Sequence, residues 1–81
     1  MRLPRDVSGA VLAKALGRLG YRVTRQTGSH LHLTSSGKGA DHHVTVPNHD
    51  ALKVGTLNAI LRDVAANNAM TRDDLLKRLF A

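Results

Sequence analysis

The sequence contains no cysteine, no tryptophan and no glutamate, and its only aromatic side chains are Tyr21 and Phe80. Each shortage removes a class of function. Without cysteine there is no disulfide framework, no thiolate metal site and no cysteine nucleophile, and a cytoplasmic setting fits best. With two aromatic rings in 81 residues, reading single-stranded bases by stacking is not the expected mode of recognition. No apolar run approaches the roughly eighteen residues that span a bilayer, and the N-terminus lacks a signal-peptide segment, so no membrane partner is expected. The length predicts a single small domain over residues 1–81 with one core layer between a sheet and a few helices.

Positive charge is what the chain has in excess. Twelve Lys and Arg stand against six Asp, for a formal net charge of +6. Residues 1–40 hold seven of the basic side chains and one acid, while the remainder is balanced. Such an excess points toward a polyanionic partner, although it also serves plain solubility. The local pattern has to decide.

Ser8 is a candidate helix N-cap, and Val11, Leu12, Ala15, Leu16 and Leu19 recur at helical spacing up to Gly20, predicting a first helix from about Gly9 to Leu19. Three short alternating runs follow: Tyr21 to Gln26, His30 to Thr34, and His43 to Val46, the last stopped by Pro47. The small polar segment from Ser35 to Asp41 reads as a loop. Leu57, Ile60, Leu61 and Val64 predict a second helix starting near Lys53 to Thr56. Thr71 with Asp74 resembles a capping box for a last helix carrying Leu75, Leu76, Leu79 and Phe80.

The expected fold is therefore α+β, in the order α-β-β-β-α-α, with a three-stranded antiparallel sheet and the helices on one face. This is the general plan of double-stranded-RNA-binding domains. The predicted core holds Leu12, Leu16, Leu19, Val23, Leu31, Leu33, Val44, Val46, Leu57, Ile60, Leu61 and Val64. The open face would show Arg22, Thr24, His30, His32, Thr34, His43 and Thr45.

The stretch Arg25-Gln26-Thr27-Gly28-Ser29-His30 is the candidate working end. Gly28 lets the chain bend tightly, and His30 opens a strand on which it faces outward with His32. An imidazole titrates near pH 6.5, about where it can both accept and donate a proton in a cell, as cleavage of RNA through its own 2′-hydroxyl requires. Arg25, Arg22 and Lys38 are candidates for neutralising charge at phosphate, and backbone NH groups around Gly28 and Ser29 for contacting its oxygens. The second proton-transfer group is open among His32, His43 and Lys38. Five histidines invite a metal, in His30-Leu31-His32 or in His42-His43 with His49. With no cysteine or glutamate beside them, four convergent ligands cannot be placed, and neither metal nor cofactor is expected.

Several separated motifs together resemble the HicA toxin family: Val7-Ser8-Gly9, Leu19-Gly20-Tyr21, Arg25 to His30, Val46-Pro47-Asn48-His49, and Gly55-Thr56-Leu57-Asn58-Ala59-Ile60-Leu61. The resemblance covers about Arg5 to Leu61. It implies the toxin of a type II toxin–antitoxin system, an mRNA interferase neutralised by a HicB-like antitoxin, with His30 on the catalytic histidine and Gly28 and Ser29 on the small residues before it. Thr27 stands where basic residues are frequent in the family, and Val54 where proline is frequent. Two other functions compete: a non-catalytic RNA-binding module of the same fold, and an adaptor for an acidic protein.

Overall fold

The computed structural model describes residues 3–38 and 40–81, without the side chains of residues 37, 38 and 40. Helix α1 spans Gly9–Leu16 and passes into a 3₁₀ turn over Gly17–Leu19. Strands β1 (Arg22–Thr27), β2 (His30–Lys38) and β3 (Ala40–Pro47) form an antiparallel sheet in that order, followed by α2 (Val54–Asn67) and α3 (Arg72–Phe80). The order α-β-β-β-α-α is the one the hydrophobic periodicity predicts.

Local chemistry explains the starts of α1 and α3. Ser8 Oγ accepts from the Val11 amide at 3.0 Å, and Thr71 Oγ1 accepts from the Asp74 amide at 3.1 Å, so each cap satisfies one of the donors a helix start leaves open. In the sheet, Leu31, Leu33, Val44 and Val46 all turn inward and are at most 7 % exposed. They meet Leu12 and Leu16 of α1, Leu57, Ile60, Leu61 and Val64 of α2, and Leu75, Leu76 and Leu79 of α3 in one cluster. Each fully buried leucine contributes about 1.5–3 kcal/mol, so the alternation in β2 and β3 fixes which sheet face the helices cover.

Three expectations change. Val23 is 49 % exposed, although its pairing with buried Leu33 turns it toward the helices. β1 is an edge strand, exposed along its whole length, so the helical layer leaves it largely uncovered. Leu19 is only partly buried, packed against the margin of the core. The expected loop from Ser35 to Asp41 is strand in its described residues: β2 runs on to Lys38 and β3 starts at Ala40, with Ser35 paired to His42 and an irregularity between Ser35 and Lys38, while residue 39 lies outside the described residues. Small polar residues signal a loop locally, but ladder pairing with the neighbouring strand overrides them.

One close approach depends on glycine. A Cβ on Gly9 would lie 2.9 Å from Asn48 Cα and closer still to the Pro47 carbonyl oxygen, so α1 and the exit of β3 meet backbone to backbone. The Gly9 amide donates to His49 O at 2.9 Å across this contact.

Candidate functional site

The site grows from the connection between β1 and β2. Thr27 and His30 face each other across a two-residue link in which Gly28 takes φ +56°, the glycine-first arrangement of type II′ hairpins. The Asn48 amide donates to Ser29 O at 2.6 Å, which ties this turn to the exit of β3. Through Gly9, the same exit holds the start of α1. His30 is therefore an exposed side chain on an anchored turn.

A register shift between Val23 and Arg25 changes what lies beside it. Before the shift Arg22 pairs with Thr34, and after it Arg25 pairs with His32 and Thr27 with His30. Because side chains alternate, an unbroken strand would turn Arg25 to the helix side with Val23. The bulge returns it to the open face. There a shallow depression is lined by Thr24, Arg25, His32, Thr34, His43 and Thr45.

Two rows of hydrogen bonds cross this face. In the first, Thr27 Oγ1 bonds His32 Nε2 at 2.8 Å and Thr45 Oγ1 bonds His32 Nδ1 at 3.4 Å, so both nitrogens of the central ring are engaged. In the second, Thr24 Oγ1 meets Thr34 Oγ1 at 3.1 Å, and Thr34 Oγ1 meets His43 Nδ1 at 3.1 Å. The surface is a lattice of hydroxyl and imidazole groups with one arginine in its wall, suited to the polar edges and phosphates of a nucleic acid.

Of the candidates from the sequence, Gly28, Ser29, His30 and Arg25 come together at this end. Arg22 lies further up the sheet opposite Thr34. Lys38 closes β2 eight residues beyond His30, as much as about 26 Å away at roughly 3.3 Å per residue. Its side chain lies outside the described residues. A role for Lys38 beside His30 does not fit this long hairpin, because the pattern that suggested a nearby loop belongs to paired strands.

The neighbours His42 and His43 point to opposite faces, so they cannot share an ion. His42 lies on the helix side. Asn68 Nδ2 donates to the Tyr21 hydroxyl at 3.2 Å, that hydroxyl bonds His42 Nδ1 at 2.6 Å, and His42 Nε2 reaches Asp63 Oδ1 at 3.3 Å. This chain links the start of the sheet to α2 and satisfies the phenol of a tyrosine only 2 % exposed. Among the described residues, no three His or acidic side chains are grouped to hold a metal ion.

Sequence reading missed Thr27 and Thr45 as partners of His32, and Asn48 as the tether of the turn. The hydroxyls carried a signal in their alternation. Asn48 carried none, since its contribution is a backbone amide.

The family model described as "HicA toxin of bacterial toxin-antitoxin" matches residues 9–65. The chain belongs to the HicA toxin family. The matched span begins at Gly9 and takes in the whole sheet, the His30 turn and most of α2, so α3 lies beyond it. Comparison with curated proteins and with solved structures gave no match. As a HicA-family member, the chain is the toxin of a toxin–antitoxin system. No helix among the described residues is long and apolar enough to cross a membrane.

Proposed function

We propose that this HicA-family toxin is a metal-independent endoribonuclease that acts on mRNA in the cytoplasm, with His30 as its catalytic group. The observation that carries the reading is an unobstructed imidazole on an anchored turn, beside the face that Arg25, His32 and the threonines build. His30 takes the proton of a ribose 2′-hydroxyl, the oxygen attacks the adjacent phosphorus, and the bond to the 5′-oxygen breaks to leave a 2′,3′-cyclic phosphate. The departing oxygen requires a proton, for which His32 and His43 share the open face with His30. Arg25 offsets charge on the phosphorane, with Arg22 extending the contact along the backbone and the amides around Gly28 and Ser29 within the same turn. A HicB-like antitoxin with an acidic surface masks this face.

His30→Ala tests the assignment. Loss of a general acid or base costs about a hundred-fold to ten-thousand-fold in rate, while an exposed substitution shifts stability by no more than about 0.5 kcal/mol. Cleavage by the parent in excess chelator, absent from a folded variant that still binds RNA, supports the proposal. Cleavage by the variant at the parental rate refutes the role of His30. RNA binding by the parent without any cleavage makes the chain a non-catalytic RNA-binding module.

A further inference from the structure

The helical layer carries a second feature that the reaction at His30 does not use. A groove of about 670 Å³ runs between α1 and the end of α3, lined by Val11, Lys14, Ala15, Arg18, Leu79 and Phe80. Val11 is 53 % exposed, an apolar side chain in the helical pattern of α1 that turns away from the core. Arg18 closes one wall by donating from Nη1 to the carbonyl of Leu79 at 3.2 Å and to that of Arg78 at 3.4 Å. These carbonyls belong to the last turn of α3, where helix geometry leaves acceptors open. The groove is thus braced between two elements before anything binds.

Its charge has one sign. α1 contains no acidic residue and has Lys14 in its last turn, and the 3₁₀ turn adds Arg18. Lys14 and Arg18 are the charged side chains that line the groove, and the acids of α3, Asp73 and Asp74, lie in its first turn at the other end. An apolar floor inside a basic rim favours one occupant over two others. RNA would find only Lys14 and Arg18 beside an apolar floor, too few cations to follow a phosphate backbone. A second copy related by a two-fold axis would set basic rim against basic rim.

We propose that this groove docks an acidic amphipathic segment of a partner protein. Its apolar side chains rest on the floor of Val11, Ala15, Leu79 and Phe80, and its carboxylates face Lys14 and Arg18. The docking surface lies on the helical layer, away from the open sheet face. It stands whether or not His30 cleaves RNA.

The probe is a blocked peptide of about fourteen residues, four helical turns, with leucines three and four apart flanked by glutamates. It is titrated into the full chain labelled for NMR. Saturable shifts are expected on α1 and the end of α3, with the His30, His32 and His43 signals unmoved. Replacing the glutamates by lysines should weaken binding by about ten-fold or more, a difference of about 1.4 kcal/mol. Val11→Asp and Lys14→Glu should each do the same, and both positions are exposed, so circular dichroism should match the parent. Failure to saturate by about 1 mM, where even weak complexes form, overturns the proposal. So do equal affinity for the lysine peptide, shifts centred on the sheet face, or parental binding by folded Val11→Asp. Self-association relieved by Lys14→Glu would assign the groove to a second copy, and groove shifts on adding a short RNA oligonucleotide would assign it to nucleic acid. Either result ends this reading.

Discussion

Replacing Gly9 by alanine places one methyl group where backbone from another element already lies. The added carbon would stand 2.9 Å from Asn48 Cα and nearer still to Pro47 O, where carbon atoms ordinarily keep about 3.5–4.0 Å apart. Neither neighbour is a side-chain tip that can swing aside, so α1 must move off the exit of β3 by about 1 Å. Overpacking of this kind costs about 1–3 kcal/mol, and the Gly9 to His49 hydrogen bond adds about 1 kcal/mol when it breaks. Alanine recovers about 0.5–1 kcal/mol through its lower helix cost. The net loss is about 1–3.5 kcal/mol, which in a domain this small lowers Tm by about 4–28 °C. Gly17→Ala is the matched control: a Cβ there meets nothing within 4 Å and the residue is right-handed helical, so stability should hold or rise. Thermal melts of the two variants and the parent decide the matter. A Gly9→Ala melt that overlays the Gly17→Ala melt would refute the reasoning. Because the β3 exit also holds Ser29 through Asn48, the Gly9 variant should lose RNA cleavage faster on warming than global unfolding explains.

Tyr21→Phe removes the hydroxyl between Asn68 and His42 and should cost about 1–3 kcal/mol by urea titration while RNA cleavage at moderate temperature stays unchanged. Val23→Thr should lie within about 0.5 kcal/mol of the parent, because this edge position is half open, whereas Leu33→Ala beside it should cost about 2–5 kcal/mol. Arg25→Ala and Arg22→Ala should each weaken RNA binding and flatten the dependence of log affinity on log salt by about one phosphate contact, read from gel shifts over a salt series.

How far the sequence could be read depended on the range of the cause. Alternation in Leu31, Leu33, Val44 and Val46 is local, and it assigned faces correctly because a slip of one residue would expose all four. The same alternation put Val23 on the helix side, which is right, and in the core, which is not. Period two says where a side chain points and nothing about how far the covering layer reaches. The bulge that returns Arg25 to the open face is a property of two strands together. So is the pairing that draws Ser35 into the sheet. The chain from Asn68 through Tyr21 and His42 to Asp63 joins three distant stretches, and the only hint was a tyrosine at an inward position, whose phenol needs a partner once buried. The turn at Gly28 was legible since a single residue type makes it.

The row of hydroxyls above β2 also fixes where a proton sits. Thr24 Oγ1 donates to the backbone carbonyl of His32 at 3.3 Å, and a hydroxyl has one hydrogen to give. Its contact with Thr34 must therefore be one in which Thr34 donates. Thr34, its own hydrogen now committed, can only accept from His43, so Nδ1 of that ring holds the hydrogen. A neutral His43 then turns a bare Nε2 lone pair toward whatever lies on the sheet. It can take a hydrogen from a ribose hydroxyl or a base amino group, and it repels an uncharged carbonyl. The wiring of three side chains gives the neutral ring at this one position a preference for donors, set by the fold before any ligand arrives.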